Sequence, residues 1–218
     1  MPTPEQILSE LTRIANAASA VAIGWHLVLV VALIGLFAGW RPSKRFAGRL
    51  LTLPLLSAAA MAAAYRNPFN AVTLGVVSAL LLFRATRLPS TPIEAGPPLW
   101  RGVGAALVAF GWVYPHFLRT DSAWQFFVAA PVGLVPCPSL AVATGFAIAA
   151  GGLGDRRWAL TLASTGLFYG LFGTARLGVW LDLGLLAGAV GLFWIGLRHT
   201  RRTPRPARDQ RVPATATA

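Results

Sequence analysis

The sequence predicts an all-α polytopic bundle of about seven transmembrane helices, N-terminus outside and C-terminus cytoplasmic. Three observations carry that expectation. Of 218 residues, 56% are hydrophobic and only 12% charged, whereas a soluble domain carries about a quarter charged residues. Apolar stretches recur between short connections that hold the arginines, which points to lipid as the solvent. Finally, alternate connections differ sharply in basic residues, as the positive-inside rule requires.

Residues 1–17 read as a short amphipathic helix on the bilayer surface. Thr3, Pro4 and Gln6 form a capping-box start, and Ile7, Leu8, Leu11 and Ile14 share one face. Glu5 and Glu10 against one Arg13 are the reverse of a basic signal-peptide start, so the first span is expected to be a retained anchor. The expected spans within 18–197 run from Ala18 to Gly39, Leu50 to Tyr65 (containing Pro54), Ala71 to Phe83, and Gly102 to His116. The third is short, so little tilt or a locally thin bilayer is expected. From Trp124 to Pro138 the prolines argue against a regular helix, and either a surface loop or a half-inserted segment on the membrane face, its backbone buried in protein, is expected. Spans from Ser139 to Leu153, Trp158 to Ala175 and Leu181 to Leu197 follow, and 198–218 reads as a basic disordered cytoplasmic tail.

The seven-span arrangement puts Arg13, Arg66, Arg119 and Arg176 on one side and the other fifteen basic residues on the opposite side. The basic side is the cytoplasmic one. Trp40, Trp100 and Trp158 then fall at the inner boundary, with Trp124 and Trp180 at the outer one. The net charge of +12 is spread over connections and tail, so no nucleic-acid partner is expected. The expected partners are the lipid bilayer and, for the tail, anionic headgroups.

Several chemistries are excluded. Cys137 is the only cysteine, which rules out an internal disulfide and a Cys-x-x-Cys oxidoreductase. Lys44, the only lysine, is read as lying in a loop, so no retinal Schiff base is expected, and the reading includes no cofactor. Gly152-Leu153-Gly154-Asp155 matches an intramembrane protease string, but that chemistry needs two carboxylates in one site. Asp155 is read instead as part of a solvated turn. Gly35/Gly39, Gly166/Gly170 and Gly184/Gly188 have helix-packing spacing. Packing within the chain is the main reading, and a homo-oligomer the alternative.

The topology gathers His26, Tyr114, His116, Cys137, Arg176 and Asp182 toward the outer side. Ionisable groups in or near hydrocarbon are costly and therefore functional candidates. Each also has a structural role open to it: His26 as an interhelical hydrogen bond, Arg176 and Asp182 as a salt bridge, Cys137 as a small buried hydrophobe. His26, His116, Cys137 and Asp182 are ligand types suited to Zn or Cu, without paired-ligand spacing.

The run Pro136-Cys137-Pro138-Ser139, followed by Asp182-Leu183-Gly184-Leu185 and preceded by Tyr114-Pro115, resembles a family of small, uncharacterised bacterial multi-pass membrane proteins. The resemblance covers about residues 110–190. It implies an integral membrane protein and assigns no activity. A non-catalytic membrane component is the leading expectation. A small permease or channel-like protein is the runner-up, and a metal protein or enzyme with an outer-face site the third reading.

Overall fold

The computed structural model describes residues 3–198, and these contain nine α-helices and no strand. The helices are α1 (Pro4–Ala17), α2 (Ser19–Phe37), α3 (Lys44–Ala64), α4 (Pro68–Ala85), α5 (Pro98–Val113), α6 (Gln125–Ala129), α7 (Pro136–Ala149), α8 (Arg156–Leu171) and α9 (Asp182–Arg198). A 3₁₀ turn, Gly151–Gly154, links α7 to α8, and a π turn, Phe172–Arg176, extends α8. The tail beyond Arg198 lies outside the described residues.

Local chemistry sets the helix starts. Thr3 Oγ1 accepts from the Gln6 amide while the Thr3 amide donates to Gln6 Oε1, the reciprocal capping box expected for α1. Ser43 caps α3 by accepting from the Phe46 amide, so this helix begins well before Leu50. Lys44 is accordingly its first residue rather than a loop residue. Asn67 caps α4 through the Asn70 amide, with Pro68 in the first turn. The third expected span is therefore not short: α4 has 18 residues, about 27 Å of helix. Proline shifts α5 as well. It starts at Pro98 and stops at Val113, because Pro115 disfavours helical geometry at Tyr114.

Three helices, α2, α3 and α4, are long and apolar enough to cross a membrane, while α5 and α7 are apolar but shorter. The shorter ones surround the centre. Helix α7 has 12 of its 14 residues buried, packed among α5, α9, α8 and α3. Glycine permits this: a Cβ at Gly104 would lie 2.7 Å from the Ala149 amide and would collide with the Gly145 carbonyl. Gly166 and Gly170 face Ala189 and Leu186 of α9, and Gly184 and Gly188 face Phe110 and Leu107 of α5. Those two glycine pairs serve packing within the chain.

Helix α2 differs. Only 17% of its most apolar stretch is buried, against 44% for α3, and Phe37 is 90% exposed. Trp40, Trp124 and Trp180 are exposed. Trp158, expected at the inner boundary, stands in the first turn of α8 with its ring wholly buried in the core.

The connections gather at two ends. At one, α1 meets the α3–α4 turn, where Arg13 donates to the Tyr65 carbonyl and Asn67 to Glu10. The same helix holds the α5–α6 connection, since Asn16 donates to the Phe117 carbonyl and accepts from the Arg119 amide. Arg176 lies within electrostatic reach of Glu5. At the other end, the α2–α3 and α4–α5 connections pair through Ile93 to Pro42 and Lys44 to Thr91 backbone bonds, each 2.9 Å. Gly96 donates to the Ala149 carbonyl, and Lys44 reaches Gly154 of the α7–α8 turn.

Candidate functional site

Three helix ends converge near the first of these two ends. Pro115 terminates α5 and leaves Tyr114 turned inward, edge-on to Phe110 and stacked with Phe117 at 6.1 Å and 8°. Pro136 and Pro138 fall in the first turn of α7, where a missing N–H costs nothing. They initiate the helix three residues before the expected Ser139. The tract before it is partly regular, with α6 at Gln125–Ala129, and its non-helical residues 130–135 are all buried in protein. Cys137 is set between the prolines, and Asp182 is the first residue of α9.

Tyr114 Oη donates to Asp182 Oδ1 at 2.5 Å, and Cys137 Sγ donates to Oδ2 at 3.2 Å. Asp182 is 1% exposed, and Tyr114 and Cys137 are also buried. Both carboxyl oxygens are therefore satisfied by neutral donors, and the group lies at the N-terminal, positive ends of α7 and α9. The Cys137 thiol is thus engaged with Asp182 rather than open to the surroundings. Space for the carboxylate comes from Gly173 in the π turn, where any Cβ would collide with Asp182 Oδ2. The π turn is closed by the Val179 amide donating to the Gly173 carbonyl.

The other candidates lie apart. Arg176 is exposed and makes no salt bridge with Asp182; the one ion pair among the described residues joins Lys44 to Glu94 at 3.8 Å. The expected hairpin salt bridge is replaced by uncharged donors, because the π turn carries Gly173, rather than Arg176, onto the carboxylate. His26 bridges α2 and α5, its ring nitrogens 2.9 and 3.1 Å from the Ala22 and Trp112 carbonyls. It also meets the Trp112 ring edge-on at 5.0 Å. His116 packs against Phe117 at 4.3 Å, and its partial burial holds its pKa below the usual histidine value. Of the proposed metal set only Cys137 and Asp182 meet, and no group of three His, Cys, Asp or Glu able to hold a metal occurs among the described residues. Asp155 caps α8 by accepting from the Trp158 amide at 2.7 Å, in keeping with the turn expected there.

Sequence reasoning missed Gly173 and the buried pair Tyr169–Asn70, whose side chains hydrogen-bond at 3.0 Å between α8 and α4. Asn70 was legible as the residue whose amide an Asn67 cap engages. Gly173 carried no local signal, since its role depends on a residue nine positions later. No family model matches this chain, and no curated protein or solved structure does either.

Proposed function

We propose that the chain is a multi-pass integral membrane protein of a bacterial-type inner membrane, with seven spans, N-terminus outside and C-terminus inside. In this reading it is a non-catalytic membrane component, and the Tyr114–Cys137–Asp182 cluster fastens three helices at their outer ends. The observation that carries the topology is the sorting of connections. The end holding α1 also holds Arg66, Arg119 and Arg176, the sparsely basic set. The opposite end holds Lys44, Glu94 and the α7–α8 turn, with the densely basic connections. Helices α5 and α7 are shorter than the ~20 residues a lipid-exposed span needs, but α7 is enclosed by its neighbours and meets little lipid. A role as fastener is supported by the saturation of Asp182: both oxygens accept, and both donors are buried.

Single cysteines test the orientation. Ser122→Cys should react with a membrane-impermeant maleimide on intact spheroplasts, and Pro92→Cys only after permeabilisation. Native Cys137 is buried and supplies the unreactive background. Labelling of Pro92→Cys on intact spheroplasts would overturn the orientation.

A further inference from the structure

The loose packing of α2 leaves a slot between α2, α3 and α7. Its walls include Trp25, Leu29 and Leu36 from α2, Leu51 and Pro54 from α3, and Phe146 from α7, and the lining is almost wholly apolar. The slot is narrow, with a cavity volume of about 80 Å³, and part of it is open to the surroundings. A hydrocarbon chain matches this lining, and water does not.

One end of the slot is chemically different. Trp40, Pro42, Ala47 and Ile93 line it, and two cations flank it. Arg41 lies between Trp40 and Pro42 and uses Nη1 to cap the Leu36 and Trp40 carbonyls at 2.8 and 3.0 Å. Among the described residues its Nε and Nη2 make no further hydrogen bond. Lys44 opens α3 on the helical face that continues through Ala47, Leu51 and Pro54 into the slot. Its ammonium has one acidic neighbour, the exposed Glu94 carboxylate at 3.8 Å. The first amides of α3 are already occupied by Thr91, Pro89 and Ser43, so any headgroup recognition falls to the two side chains. An apolar slot with cations at one mouth has the polarity of an anionic amphiphile.

We propose that this slot holds one acyl chain of an anionic phospholipid from the cytoplasmic leaflet, its phosphate at Arg41 and Lys44. The proposal rests on the membrane reading above. It also accounts for α2 standing away from the bundle, since the chain fills the space that side chains leave open.

The test uses the full-length protein, purified in mild detergent and examined by native mass spectrometry. Dioleoyl phosphatidylglycerol and dioleoyl phosphatidylcholine, with identical acyl chains, are the probes. One phosphatidylglycerol should bind with a preference of about 25-fold over phosphatidylcholine, about fivefold from each of the two cations. Arg41→Gln and Lys44→Gln should each cut that preference about fivefold while chain binding persists. Ala32→Phe, on the slot wall, should remove binding of both lipids, with Ala32→Leu as a milder filler should the larger residue disturb folding. Equal binding of the two lipids, or unchanged binding in folded Ala32 variants, would overturn the proposal. Alkaline carbonate extraction separates the two failures. Protein released from membranes sinks the membrane reading itself, whereas protein retained in membranes that binds no phosphatidylglycerol sinks only the slot.

Discussion

Removing the Tyr114 hydroxyl with Tyr114→Phe tests whether the buried cluster fastens the helix ends. The substitution keeps the ring, its stacking with Phe117 and its edge contact with Phe110, so no cavity of consequence forms. It deletes the 2.5 Å bond and leaves Asp182 Oδ1 buried without a donor. Hydrogen bonds to charged groups in soluble proteins contribute about 1.5–3 kcal/mol. Interhelical bonds in membrane proteins average about 0.6 and reach about 1.7 kcal/mol, because the unfolded chain in the membrane also finds partners. Asp182 is almost fully enclosed, which places the expected loss near the top of the membrane range, about 1.5 kcal/mol. A double-mutant cycle with Asp182→Ala isolates the pair. Unfolding in mixed micelles, followed by tryptophan fluorescence and circular dichroism, gives the four stabilities. A coupling of about 1.5 kcal/mol is expected. Additive losses, with coupling under about 0.3 kcal/mol, would refute the idea that Tyr114 and Asp182 form one energetic unit.

Two further outcomes follow from the packing and from the α5–α6 connection. Gly104→Ala places a methyl group against the Gly145 carbonyl and the Ala149 amide, and should cost about 1–3 kcal/mol in the same assay; Gly102→Ala, where the added Cβ meets nothing within 4 Å, should be near neutral. His116 is neutral over a wider pH range in the fold than in the unfolded chain, because burial disfavours its charged form. Its stabilising effect is therefore complete above the ordinary histidine pKa of about 6.5 and is lost as pH falls from there through the lower folded value. Thermal stability measured between pH 7.5 and pH 5 should fall less for His116→Gln than for the parent protein; equal falls would refute this.

The helices were legible where the determinants were local. Thr3-Pro4-Glu5-Gln6 announced α1, and the apolar run after Ala18 announced α2, because capping and hydropathy are written in neighbouring residues. Boundaries were missed where a cap extended a helix into charged sequence. Ser43 carries α3 back over Lys44, Arg45 and Arg49, residues whose charge reads as loop. The candidate site divided in the same way. Tyr114, Cys137 and Asp182 each stood out as polar groups in apolar surroundings, and they do meet. Their separation from His26, His116 and Arg176 depends on helix rotation and on the π turn at Phe172–Arg176. A single sequence records neither, since i+5 bonding replaces i+4 bonding without a compositional mark.

On the seven-span reading proposed above, the enclosure of α7 bears on how the chain would enter a membrane. A 14-residue segment is about 21 Å long, less than the ~30 Å hydrocarbon layer, and alone it would expose its terminal amides and carbonyls to lipid. It is tolerable there only once α5, α8 and α9 are beside it. On that reading α7 would be accommodated only together with its neighbours, and the helices around it would enter the bilayer as a group rather than one by one. Synthesis halted just after Ala149 would strand a segment that neither bilayer nor water accommodates.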